Sequence, residues 1–300
     1  MTTDSSATGR SLAAYGIVIV AAVLIGTVLA PYAWGVVADS GPDDAVAVVD
    51  VSGTITGGYV DSLRDTLRDV RTNDTIEAVV LRVDSPGGSA AASESLYMAV
   101  NKTAAEMPVV AYVDGTAASG SYYGIAPSDR IFVKPASIVG SIGVYAQVPA
   151  TVPEGYVRSG PDKGTRGTVD NVRQTVEQLQ RAFLETVYRH RGETLSIERQ
   201  QLAYGNVYTG TEAVSNGLAD AVGSHNSAID TAASLANLDQ YSIVERGTQQ
   251  TGIIILSQAD GETVVQTKGD QFGYRGVDTT KYLMLWGHPD NATDTAVIGR

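Results

Sequence analysis

Three apolar runs, "DDAVAVVDVSGTI", "IEAVVLRVDSPGG" and "PVVAYVDGTAASG", each lead into a stretch with helical periodicity. Runs without an alternating polar face suit strands covered on both sides, as in the middle of a parallel sheet. Between them, "YVDSLRDTLRDVRT" places Val60, Leu63, Leu67 and Val70 on one helical face, and "SAAASESLYMAVNKTAAE" reads as a second helix. The third run is followed by a helix through Tyr122 and Tyr123. Strands alternating with helices predict right-handed crossovers and an α/β fold with a mainly parallel sheet under covering helices. "RIFVKP" and "SIGVYAQV" add short strands, and Val172, Val176, Leu179, Phe183 and Val187 recur at helical spacing through a long helix over 169–191. After Leu238 the chain turns β-like, which predicts a boundary near residue 240 and a strand-rich C-terminal extension over 239–300 of unassigned role.

Residues 11–38 form 28 consecutive positions without a charged side chain. About 20 apolar residues span a bilayer, so this run predicts one N-terminal transmembrane helix. Tyr15 at one end and Tyr32 and Trp34 at the other sit where interfacial aromatics belong. Arg10 precedes the run and Asp39, Asp43 and Asp44 follow it, so residues 1–10 are expected in the cytoplasm and the remainder outside. A cleaved signal peptide ending at "VLA" (28–30) is the competing reading, and the length of the apolar run favours an uncleaved anchor. Sequons at Asn73, Asn101 and Asn291 matter only if that side is extracytoplasmic.

The net charge is −12, from 33 acidic and 21 basic residues, which argues against a nucleic-acid partner because phosphate binding needs a basic surface. No cysteine is present, which excludes disulfides, thiolate metal sites and a cysteine nucleophile. Three histidines, His190, His225 and His288, leave little for a metal cluster, and no H-E-x-x-H occurs, so neither a metal nor another cofactor is expected.

In open α/β sheets chemistry gathers at the carboxyl ends of parallel strands. "DSPGGS" (84–89) and "TAASGS" (116–121) both fall there. Ser119, where strand turns to helix, can project its oxygen into a cleft; Gly120 permits the turn, and the N–H groups of Gly120 and of Gly87 or Gly88 can converge as an oxyanion hole. A serine at such a junction is also an ordinary helix N-cap. A serine nucleophile needs a base. None of the histidines has a setting that suggests catalysis, and a lysine serves if its amine is neutral. The lysines are Lys102, Lys134, Lys163, Lys268 and Lys281, of which Lys163 stands in the glycine-rich "VRSGPDKGTRGT".

The segments "AVVLRVDSPGGSAAASESLYMAV", "PVVAYVDGTAASGSYYGIAPSDRIFVKPASIVGSIGV", "VRSGPDKG" and "LAYGNVYTGTEAVSNGLADAVG" stand in the order seen in the signal peptide peptidase A family, the S49 serine peptidases, which the chain resembles over about 45–238. The resemblance implies a ClpP/crotonase-like fold and a Ser-Lys dyad that hydrolyses peptide bonds in remnant signal peptides or other membrane-associated peptides. It makes Ser119 the nucleophile and Lys163 the base, puts the Ser141 hydroxyl of "VGSIGV" near the lysine, and implies a homo-oligomer. Ser121 departs from the family's usual glycine and is a rival hydroxyl. The segment Tyr145–Val157 is shorter than in relatives, which leaves the cleft rim and the oligomer contacts open. The acidic, lysine-poor composition adds the expectation of a halophilic archaeal source. Two rivals remain: a non-catalytic membrane scaffold of the same fold and a crotonase-type acyl-CoA enzyme. Small and aromatic residues in "GTAASGSYYGIA" are expected to line an approach for apolar substrates, against a plain core-packing role.

Overall fold

The computed structural model describes residues 44–148, 169–247, 254–259, 262–267, 280–287 and 295–298. The expected membrane anchor over 11–38 and Lys163 lie outside them. Among the described residues no helix is long and apolar enough to cross a membrane.

The main sheet is built on β1 (Ala45–Ser52), β2 (Ile76–Ser85), β4 (Val109–Ala118), β5 (Arg130–Val133), β9 (Ala221–Val222) and β10 (Ser242–Arg246), in the order β10-β1-β2-β4-β5-β9. Every pairing along that path is parallel. The period of two divides each strand between two cores. Val49, Val51, Leu81, Val83, Ala111 and Val113 face one cluster, and Val46, Val48, Ala78, Val80, Val110 and Tyr112 face the other. The sheet is therefore apolar on both faces, as the uninterrupted runs in the sequence predict.

Helices α1 (Gly57–Arg71), α2 (Ala90–Ala104), α3 (Gly120–Ile125) and α4 (Val169–Arg191) contribute to the larger cluster. Thr56 caps α1 by accepting the Tyr59 N–H, and Leu63, Leu67 and Val70 then face inward with no more than 1% exposure. Ser89 caps α2 in the same way. Short helices α5 (Arg199–Leu202) and α6 (Gly210–Ser215) follow, and α7 (His225–Leu235) covers the second face with Ala228, Ile229, Ala232 and Ala233. Buried Arg191 at the end of α4 forms a bidentate pair with Asp220, both N–O distances being 3.0 Å. Asp220 also accepts the Ile131 N–H at 2.7 Å, which fixes the helix end to the sheet.

Two expectations change. The glycine turn after β2 continues as a strand, β3 (Gly87–Ser89). Of "SIGVYAQV" only β7 (Tyr145–Gln147) is a strand, while β6 (Ile138–Gly140) precedes it, pairing parallel with β4 and antiparallel with β8 (Val207–Thr209). Past residue 240 the chain pairs again with earlier strands. β10 completes the main sheet beside β1, and β13 (Lys281–Leu285) lies between β3 and β7, antiparallel to both. β11 (Ile254–Ala259), β12 (Glu262–Thr267) and β14 (Thr295–Ile298) make a separate three-stranded antiparallel sheet.

Candidate active site

β4 and β6 run parallel with Ala118 opposite Gly140, so the next residues, Ser119 and Ser141, leave the sheet side by side. Both have left-handed backbones, φ 55° at Ser119 and 53° at Ser141. That region is costly for a residue with a Cβ and persists only where the surroundings enforce it. At Ser119 they do: its N–H donates to the Gly140 carbonyl at 2.7 Å and its carbonyl accepts the Tyr123 N–H at 2.9 Å. The Ser141 N–H is held by the Asn206 carbonyl at 2.8 Å.

Ser119 occupies the N-cap position of α3 yet makes no capping hydrogen bond through its side chain. Thr56, Ser89, Thr209 and Ser224 all do so at their own helices. Among the described residues the Ser119 hydroxyl has only a long contact with the Gly143 carbonyl, 3.5 Å, so none of them commits its proton to the fold. Ser121, the rival, is different. Its fully buried hydroxyl lies 2.7 Å from the Ser85 carbonyl and 2.8 Å from the Ala118 carbonyl, and it ties α3 to the ends of β2 and β4.

The wall opposite Ser119 is backbone. At Gly87, whose φ is +92°, a Cβ would overlap the Met284 carbonyl oxygen and come within 2.7 Å of the Gly120 nitrogen. At Gly88 it would collide with the backbone of Ile55, and at Gly120 with Ser93 Oγ and, at 2.9 Å, the Met284 carbonyl oxygen. Gly87 and Gly120 are therefore required by close approach around the Met284 carbonyl oxygen, and Gly88 by the backbone of Ile55. The Gly87 N–H donates to Ser85 Oγ at 3.2 Å. The Ser89 N–H and Gly87 carbonyl bond Ile55, so the N–H and carbonyl of Gly88 turn the other way, toward Met284. Gly120 stands in the first turn of α3, where amides lack intrahelical partners.

The two tyrosines after Ser121 do not line an approach. Tyr122 is fully buried with its hydroxyl donating to the Leu218 carbonyl at 2.8 Å, and burial raises its pKa. Tyr123 stands edge-on to Phe183 with ring centres 4.9 Å apart. They anchor α3 in the core, the packing role, and so hold Ser119 in place.

Neither described histidine is bonded to Ser119. His190 Nε2 lies 3.1 Å from the Tyr97 hydroxyl, and burial, with Arg189 adding to it, lowers its pKa. His225 packs against Tyr112. Of the described lysines, Lys134 is paired with Asp114, whose carboxylate raises its pKa and holds it charged. Lys102 is in the last turn of α2, and Lys281 stands opposite Gln147 on β13. The contribution of β13 is what sequence reasoning missed, although its apolar "YLML" is legible as a strand.

A parallel α/β sheet with a strained, uncommitted serine facing a glycine-built recess at its strand ends defines the class. The model of peptidase family S49 matches residues 101–152 and 163–239. A candidate protease of Methanocaldococcus jannaschii is 32% identical over 200 residues, 61% of this chain and 64% of that protein. Protease 4 of Salmonella typhi is 32% identical over 229 residues, 69% of this chain and 37% of that one, and a candidate signal peptide peptidase SppA of Enterococcus faecium is 27% identical over 62% and 59%. The chain thus spans between 37% and 64% of the length of these relatives. Among solved structures, a serine-to-alanine mutant of the 1510-N membrane-bound stomatin-specific protease aligns over 69% of this chain and 99% of its own, with a TM-score of 0.48 and 17% identity. The chain belongs to peptidase family S49.

Proposed function

We propose that the chain is a membrane-anchored serine endopeptidase with a Ser119–Lys163 dyad. The observation that carries the reading is the left-handed Ser119, whose hydroxyl serves no cap and stands beside a recess closed to any side chain at Gly87 and Gly120. Strain at a position with no structural use for its side chain is what a nucleophile at a strand-to-helix turn requires. In this scheme Ser119 Oγ attacks a peptide carbonyl while neutral Lys163 takes its proton. The amides of Gly120 and Gly88 hold the oxyanion, the Gly87 N–H being bonded to Ser85 Oγ; Lys163 returns the proton to the departing amine, and water then releases the acyl group from Ser119. Ser141, beside Ser119, is a positioning residue for the lysine. Lys134, held charged by Asp114, is unsuited to the base role, which favours Lys163.

The uncharged run at 11–38, with Arg10 before it and acidic residues after it, supports an anchor and an extracytoplasmic catalytic domain. Membrane-associated peptides, including signal-peptide remnants, are then the substrates within reach, and a homo-oligomer completes the proposal. The test is mass spectrometry of the full chain in detergent after exposure to a serine-reactive phosphonate, at low and high salt, beside Lys163→Ala. Adduct at Ser119 that vanishes in Lys163→Ala is the expected result. Label at Ser119 that persists in Lys163→Ala, or label that falls on another side chain, would overturn the dyad.

A further inference from the structure

The recess beside Ser119 is already filled by the chain itself. β13 lies between β3 and β7, with Leu283, Met284 and Leu285 opposite Ser89, Gly88 and Gly87 on one side and Lys281, Tyr282 and Leu283 opposite Gln147, Ala146 and Tyr145 on the other. The Trp286 N–H donates to the Pro86 carbonyl at 2.8 Å. Hydrogen-bonded pairs in an antiparallel ladder recur every second residue, so Met284 and Gly88 form the next such pair. The Met284 carbonyl therefore accepts from the Gly88 amide, and it is the atom that a Cβ on either Gly87 or Gly120 would strike. That is the position assigned to the substrate's oxyanion. Leu283 and Met284 are 0% exposed and Leu285 9%, and Ser119, next to Gly120, is 1% exposed.

We propose that residues 281–285 are an intramolecular occupant of the peptide groove, a strand docked as a substrate would be, which must leave before a peptide reaches Ser119. The proposal rests on the peptidase reading of the same site. A tethered strand competes at an effective concentration of order millimolar, so a free peptide at micromolar concentration meets a closed groove. The occupant is an extended apolar peptide bonded on both edges, the chemistry of strand addition.

The chain has no cysteine, so a Tyr282→Cys/Ala146→Cys pair gives a single reversible lock across β13 and β7. These residues fall between the bonded pairs of that ladder, where side chains stand closest. Leu283→Asp in the full chain is the complementary release. Two readouts are needed: binding of a fluorescein-labelled peptide copying Lys281–Trp286, by anisotropy, and hydrolysis of a fluorogenic apolar peptide.

The expected result is that the oxidised lock neither binds nor cleaves and that reduction restores both. Leu283→Asp should cleave about tenfold faster than wild type, equivalent to ~1.4 kcal/mol. Failure of the disulfide to form, or an oxidised lock as active as the reduced form, overturns the proposal. So does wild-type chain cut between Met284 and Leu285, since the strand would then be substrate rather than occupant. Binding controlled by the lock without hydrolysis or labelling in any form would keep the occupant and discard the peptidase.

Discussion

Ser119→Gly should make the protein more stable and inactive at once. The serine holds φ 55° and ψ −119°, and such a conformation costs a residue with a Cβ about 1–3 kcal/mol. Glycine adopts it freely, at a penalty of roughly 0.5–1 kcal/mol in unfolded-chain entropy. Among the described residues the lost hydroxyl forfeits only a 3.5 Å contact with the Gly143 carbonyl and no cap bond, which is worth little. The net gain is therefore about 0–2.5 kcal/mol, and for a domain of this size a gain near ~1 kcal/mol raises Tm by about 2–4 °C. Ser119→Ala keeps the strain and serves as control, with Tm close to wild type and equal loss of activity. Thermal unfolding followed by circular dichroism, with phosphonate labelling on the same samples, measures both quantities. A fall in Tm of Ser119→Gly by several degrees would refute the reasoning, because the side chain would then be supporting the fold.

Ser121→Ala should behave in the opposite way. Its buried hydroxyl bonds the Ser85 and Ala118 carbonyls, so its loss costs about 1–3 kcal/mol in urea unfolding while Ser119 still takes the phosphonate; unlabelled Ser119 in the folded variant would make Ser121 the nucleophile. His190, with a pKa lowered by burial, binds its proton less readily folded than unfolded. Its contribution is therefore complete above the unfolded value of about 6.5 and is lost as pH falls through that value toward the lower folded one. Tm should drop from pH 7.5 to pH 5 more in wild type than in His190→Gln, and equal slopes would remove His190 from the account.

The parts of the fold legible in the sequence are those set by local pattern. The strands β1, β2 and β4 carry consecutive apolar residues because both faces are covered, and α1 shows its buried stripe at Leu63, Leu67 and Val70. Ser119 and its glycines were legible for a related reason: a backbone that must turn and approach closely leaves few residue types. What stayed hidden is non-local. Gly87–Ser89 reads as a turn because glycine is a poor strand former, yet its strand bonds come from Ile55 and from the tail nearly 200 residues away. β10 and β13 join the fold through main-chain pairing, which places little constraint on residue type, so nothing near residue 240 announces that the chain returns to the sheet and then to the site. Tyr122 and Tyr123 illustrate the converse, since small and aromatic residues beside a serine fit a cleft lining and a core equally until their partners are seen.

Those two tyrosines also change where apolar selectivity must come from. Both are buried under α3, so neither can contact a peptide. A peptide docked as β13 is docked meets main chain at Gly87, Gly88 and Gly120, and backbone bonding of that kind is indifferent to sequence. Discrimination then falls to side-chain positions along the strand, which alternate between faces: Leu283 and Leu285 on one, Met284 on the other. All three are buried against the protein, so each face offers apolar cover, and a charge at any of these positions would be desolvated without a partner. Bonding by main chain and exclusion by apolar cover together favour extended, uncharged peptides of varied sequence. Fragments of membrane segments have that character, and so does the tail strand that fills the groove.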